Sequence, residues 1–179
     1  MNPNSSRWPG SEPVPTLKSV VLEHQGGMLF ASRPSSGHDY AFDDRESNRG
    51  GSPVETILAA LGSCSAMDVI SIAGKKRLVI DEYRIHVSGS QRDEYPQVFT
   101  DIVVTHEVVG RDLAEAAVRR SIELSATKYC PVNAMISAGA TVVHHRYRIV
   151  STGANPYEAE GEVIATGPYA RPDILVDQA

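Results

Sequence analysis

The feature that most restricts how this 179-residue chain can fold is a run from about Pro53 to Lys76, PVETILAALGSCSAMDVISIAGKK. It is small and apolar nearly all round. Ser52 is a plausible helix cap and Pro53 a plausible first helical residue, so the run predicts one long helix. A helix that is apolar on every face is a buried helix rather than a surface one. One small sheet cannot cover it alone. A second protomer is therefore expected to cover the rest, giving an obligate homodimer.

The flanking sequence predicts the covering layers. LKSVVLEH, GMLFASRP and GHDYAFDD are short strand-like runs separated by Gly-Gly and by Pro-Ser-Ser-Gly, the pattern of an antiparallel meander. After the helix, IDEYRIHVSGSQ and VFTDIVVTHEVVG read as strands, with Tyr83, Ile85 and Val87 alternating with polar neighbours. An amphipathic helix is expected at about Arg111–Thr127, burying Leu113, Ala116, Ala117, Ile122 and Leu124. A short helix bracketed by Pro131 and Gly139 follows, then a strand, ATVVHHRYRIV. This order predicts an α+β fold, with antiparallel sheets packed around a long central hydrophobic helix. Residues 1–16 read as a disordered, Pro- and Ser-rich arm, residues 17–150 as the domain, and residues 151–179 as a C-terminal extension. That extension holds one strand-like run, Glu162–Thr166, and is expected to pack as an arm on the partner subunit.

A formal net charge of −5 offers no electrostatic reason to expect nucleic acid or an anionic membrane as partner. The basic clusters Lys75-Lys76-Arg77 and Arg119-Arg120 fit helix ends and solvated faces. No window holds the roughly 20 consecutive apolar residues of a spanning helix, so no membrane is expected. MNPNSSRWPGSEPVPT lacks the apolar core of a signal peptide, and a cytoplasmic protein is expected. Structural disulfides are rare there, and a cysteine pair is more often catalytic or metal-binding.

The two cysteines, Cys64 and Cys130, stand 66 positions apart, which is neither a CxxC redox motif nor a zinc ribbon. Cys64 lies within the apolar helix. Packing explains it, since free cysteine behaves as a small hydrophobe; reactivity would need a cation brought close, because burial raises a thiol pKa. Cys130 precedes Pro131 and is expected at a helix N-cap, where backbone N–H groups and the dipole favour a thiolate, with Lys128 nearby. Local physics thus makes Cys130 the more acidic thiol. Glu55, nine residues before Cys64, falls on the opposite helix face and about 13.5 Å away along the axis. It either complements the helix dipole or serves a site completed by another chain.

GGSPVETILAALGSCSAMDV followed by KYCPV resembles the OsmC/Ohr family of osmotically inducible and organic-hydroperoxide-resistance proteins, on its broad OsmC-like branch. The similarity runs from about Leu17 to Ile149 and includes the element order. It implies an intertwined homodimer with active sites at the subunit interface. It also implies a thiol-dependent peroxidase that reduces organic hydroperoxides, with hydrogen peroxide as a secondary substrate, in defence against oxidative stress. By the same resemblance Cys64 is the peroxidatic thiol, oxidised to a sulfenic acid, and Cys130 the resolving thiol that forms a disulfide with it. An external dithiol reductant then restores both. An arginine held by a glutamate activates the peroxidatic cysteine in this family. Glu55 matches the glutamate, and Arg45 matches the arginine's spacing to within one residue, with Arg49 in the same loop. The first hairpin, EHQGGM, lacks the arginine that the Ohr branch carries there. No metal or bound prosthetic group is implied.

Other chemistries are weaker in the sequence. His144 and His145 are adjacent on a strand and point to opposite faces; His24, His38, His86 and His106 form no ligand motif. No Gly-x-Ser-x-Gly elbow is present. The competing class is a non-catalytic dimeric module that binds an apolar small molecule in the interface cleft. A third possibility is thiol-mediated acyl transfer or hydrolysis, which would use Cys64 without Cys130.

Overall fold

The computed structural model describes residues 17–163; the expected N-terminal arm and the last part of the C-terminal extension lie outside them. The chain divides at Pro53/Val54 into two compact units. The first is the expected meander: β1 (Val20–His24), β2 (Phe30–Pro34) and β3 (Tyr40–Phe42), paired antiparallel in that order. Gly26 and Gly27 turn the first hairpin with φ of 95° and 59°, the left-handed region that glycine enters without a Cβ clash. In the loop after β3, Asp43 is buried and accepts from the backbone N–H groups of Asp44 and Arg49 and from the Arg49 guanidinium.

The second unit carries the long helix α1 (Pro53–Lys75) and a four-stranded sheet in the order β4-β5-β6-β7. Its strands are β4 (Val79–Gln91), β5 (Phe99–Arg111), β6 (Val142–Thr152) and β7 (Tyr157–Val163). β4–β5 and β6–β7 pair antiparallel and β5–β6 pairs parallel, so this sheet is mainly antiparallel, as expected, with one parallel pair. A parallel pair needs a crossover connection. Here it is supplied by α2 (Glu115–Leu124), a π-helical turn at Ser125–Tyr129 and α3 (Pro131–Ser137). α2 starts four residues later than expected. It buries Val118, Ser121 and Ile122, whereas Ala116 faces solvent. The C-terminal strand also begins earlier than Glu162. Its pairing with β6 makes residues 157–163 part of this protomer's own sheet, and the remainder of the expected arm lies outside the described residues.

The sheet's inward row explains the core. Ile102, Val104, His106 and Val108 of β5 alternate inward, as do Val143, His145, Tyr147 and Ile149 of β6. Two apolar clusters result. One holds Leu61, Ile102, Val104 and Cys130, with Cys64 packed against it; the other holds Val69, Val108, Ile122 and Ile149. His106 and His145 sit along the strands between them.

α1 contributes a narrow stripe to these clusters. Its buried residues are Leu61, Gly62, Ser65, Val69 and Ala73, essentially every fourth position. Among the described residues of its own unit the helix is not enclosed: Met67 is 73% exposed, and Ile57 and Ile70 are each 44% exposed. α1 is long and apolar enough to cross a membrane by length and mean composition, although Glu55, Thr56, Ser63, Ser65 and Asp68 interrupt it, so it holds no run of about 20 consecutive apolar residues. Its buried stripe nonetheless packs into both protein cores.

Candidate active site

Cys64 is half-buried on the inner side of α1, and Asp68 follows it by four residues, one helical turn on and on the same face. Cys130 approaches from the crossover. The π-turn brings it there, and its backbone N–H donates to the Ser125 carbonyl at 3.0 Å. The two sulfurs and an Asp68 carboxylate oxygen lie within 4.8 Å of one another, and both cysteines are free. The fold thus joins thiols 66 positions apart.

The expected N-cap is present. Cys130 precedes Pro131 and its sulfur accepts from the backbone N–H of Asn133 at 3.3 Å. Its expected acidity is not. Cys130 is 3% exposed, and burial, reinforced by a hydrogen bond with Cys64, pushes its thiol up to about 12 despite that N–H. Desolvation of the charged form outweighs the seven-residue helix behind it. Lys128 lies over the Tyr129 ring, 5.4 Å from its centroid.

Asp68 is held from the other side. Ser125 Oγ donates to its carboxylate at 3.1 Å and lies 3.2 Å from Ser65 Oγ. Burial raises the Asp68 pKa above the usual carboxylate range, and the Ser125 hydrogen bond opposes the rise.

A buried hydrogen-bond chain supports Cys130, and its direction follows from one end. Asn133 Nδ2 donates to the Ala126 carbonyl at 2.7 Å, so Asn133 Oδ1 must accept from His145 Nε2 at 3.1 Å. Neutral His145 then accepts at Nδ1 from His106 Nε2, 3.3 Å away, and His106 Nδ1 accepts from the Tyr83 hydroxyl at 2.6 Å. Every imidazole nitrogen is used once with both rings neutral. Burial fits this, pulling His106 down to about 3 and His145 to about 4. The chain ends on an amide, which cannot pass a proton on. Its role is to fix Asn133, and through Asn133 the turn that carries Cys130.

Glu55 is exposed in the first turn of α1 and far along the axis from Cys64. Arg49 is committed to Asp43, Nε to Oδ2 at 3.1 Å. Arg45 is exposed in the same loop and makes no ion pair among the described residues. The sequence reading missed Asp68, Ser125, Asn133 and His145. Of these only Asp68 had a local signal, its i+4 spacing from Cys64. Beside Cys130 lies a hollow of about 440 Å³, lined mainly by Tyr129, Pro131, Ala134 and Met135.

Fold and site define an α+β domain in which a thiol on a long apolar helix meets a second thiol at the mouth of a short one. The chain belongs to the OsmC-like protein family, whose sequence profile matches residues 46–145. It is 38% identical over 125 residues to protein YhfA of Escherichia coli strain K12, covering 70% of this chain and 92% of YhfA. The crystal structure of a hypothetical protein from Aquifex aeolicus superposes with a TM-score of 0.67 at 27% identity, covering 78% of this chain and 99% of that one. An organic hydroperoxide resistance protein OsmC from Legionella pneumophila shares the fold, with a TM-score of 0.57 at 14% identity, 78% of this chain and 100% of that one.

Proposed function

We propose that the chain is a cysteine-based peroxidase that reduces organic hydroperoxides. The observation that supports this reading is the meeting of the half-buried Cys64 and the buried Cys130 sulfurs in one cluster. In the first step the Cys64 thiolate attacks the distal peroxide oxygen. An S–O bond forms, the O–O bond breaks, and the alkoxide leaves and takes a proton to become the alcohol. The Cys130 sulfur then attacks the Cys64 sulfenic acid. An S–S bond forms and hydroxide leaves, taking the Cys130 proton to become water. A dithiol reductant reverses the disulfide by exchange.

The high Cys130 pKa suits a resolving thiol, which stays protonated until a sulfenic acid forms beside it. The apolar hollow suits the organic tail of a hydroperoxide; it would equally suit the ligand of a non-catalytic binding module. Arg45 is our choice for the cation that activates Cys64, because Arg49 is already engaged by Asp43. Glu55 cannot reach Cys64 along its own helix, so it and Arg45 serve a site shared between the protomers of a homodimer. The exposed apolar residues of α1 support that dimer. A thiol pair that must be returned to the reduced state after each turnover fits a reducing compartment such as the cytoplasm.

Consumption of cumene hydroperoxide with dithiothreitol as reductant tests the proposal. Cys64→Ser is expected to fall to background, and Arg45→Ala to lose at least about tenfold, in line with the contribution of a positioned electrostatic group. Full activity in Cys64→Ser would overturn the reading.

A further inference from the structure

We propose that the reduced cluster is also a zinc site, with Cys64, Asp68 and Cys130 as ligands and a fourth position open to water. The claim goes beyond the peroxidase reading and requires only that both thiols be reduced.

The donor set is the first argument. Two thiolates and a carboxylate match a borderline-soft d¹⁰ cation, and thiolates select against magnesium and calcium. Three protein ligands with one open position is the arrangement of reactive rather than purely structural zinc sites. Geometry is the second. In tetrahedral coordination the sulfurs would stand about 3.8 Å apart and each sulfur about 3.5 Å from the carboxylate oxygen. All three donors already lie within 4.8 Å of one another, so modest side-chain rotation closes the site. Cys64 and Asp68 share one helix face, and Cys130 comes from a separate element, so the ligands flank the ion.

The surroundings are the third argument. Metal ligands are oriented by outer hydrogen bonds, and two of the three ligands here have one. Ser125 Oγ holds the Asp68 carboxylate at 3.1 Å, and the Asn133 N–H points at the Cys130 sulfur at 3.3 Å. Asn133 is itself clamped by the Ala126 carbonyl and by His145. Among the described residues no cation hydrogen-bonds or ion-pairs with Asp68. Divalent zinc with two thiolates and one carboxylate leaves a net charge of −1, whereas the same three ionised ligands without metal would carry −3. Binding takes both sulfurs as thiolates and releases to solvent whatever thiol protons remain, with no change of oxidation state. Because zinc engages both sulfurs, a bound ion and a Cys64–Cys130 disulfide exclude each other.

The test is an anaerobic titration of reduced, tag-free, full-length protein with Co²⁺, a spectroscopic stand-in for zinc. The expected result is saturation at one Co²⁺ per chain, with tetrahedral ligand-field bands in the red and sulfur-to-cobalt charge transfer in the near ultraviolet. One equivalent of Zn²⁺ then bleaches both. Asp68→Asn, which keeps both thiols and the side-chain shape, is expected to bind at least about tenfold more weakly. Cys64→Ser is expected to lose half or more of the charge-transfer intensity and the saturable binding. Absence of charge transfer in the wild type at a tenfold excess of Co²⁺ would overturn the proposal. So would binding that is unchanged in Asp68→Asn or in Cys64→Ser. Peroxidase activity is not read in this titration, so either idea can fail while the other stands.

Discussion

Cys130 and the two buried histidines make opposite demands on pH. The Cys130 thiol sits at about 12 in the folded chain, above the value of about 8.5 for a free thiol. The folded state therefore holds this proton more tightly. Its contribution is complete below about pH 8.5 and is lost as pH rises toward 12. His106 and His145, at about 3 and about 4, lie below the free imidazole value of about 6.5. Their contribution is complete above pH 6.5 and is lost as pH falls through those values. Urea unfolding of reduced protein should show both limbs. Between pH 8 and 10 the wild type is expected to lose stability more steeply than Cys130→Ser. Between pH 6.5 and 4.5, His145→Gln is expected to flatten the acid limb. Parallel curves for wild type and variant would contradict the assignment of that limb. The N-cap placement of Cys130 was readable from Cys-Pro, but its acidity was not. The cap is local chemistry; the burial that overrides it is made by α1 and the sheet.

α1 approaches β4 closely at Gly62, where a Cβ would lie 2.8 Å from Val87 Cγ2. A glycine in mid-helix costs about 1 kcal/mol against alanine, and here the lost propensity is exchanged for closeness of helix and sheet two residues before Cys64. Gly62→Val is expected to destabilise the fold by about 1–3 kcal/mol through overpacking, measured by urea unfolding. An unchanged midpoint would mean that α1 can lift away freely. The ends of α1, the meander and the Pro131 helix start were legible because caps, turns and periodicity are local signals. The parallel β5–β6 pairing was not, since it depends on a crossover through three helical segments. Nor was the π-turn, whose Ser125 is placed by contacts with Ser65 and Asp68 from another element. The same reason hid Asn133, His106 and His145. Their partnership is set by which strand lies beside which, and sequence spacing carries little of that.

The described residues of one chain leave much of α1 uncovered, with Met67 and Ile70 among its exposed apolar side chains. The apolar run first suggested a dimer, and the narrow buried stripe gives the same suggestion a surface. Met67→Glu with Ile70→Glu is expected to shift the protein to monomer in sedimentation velocity, and to lose peroxide consumption with it if the site is shared. A double variant that remains dimeric would remove α1 from the interface. The central claim, that Cys64 and Cys130 act as one redox pair, is tested most directly by intact mass. Reduced protein is measured before and after one equivalent of cumene hydroperoxide. The account predicts that wild type loses two hydrogens to a disulfide, that Cys130→Ser gains oxygen at Cys64, and that Cys64→Ser is unchanged. If wild type and both variants instead keep free thiols over many minutes, Cys64 is an unactivated core residue and the peroxidase account is wrong.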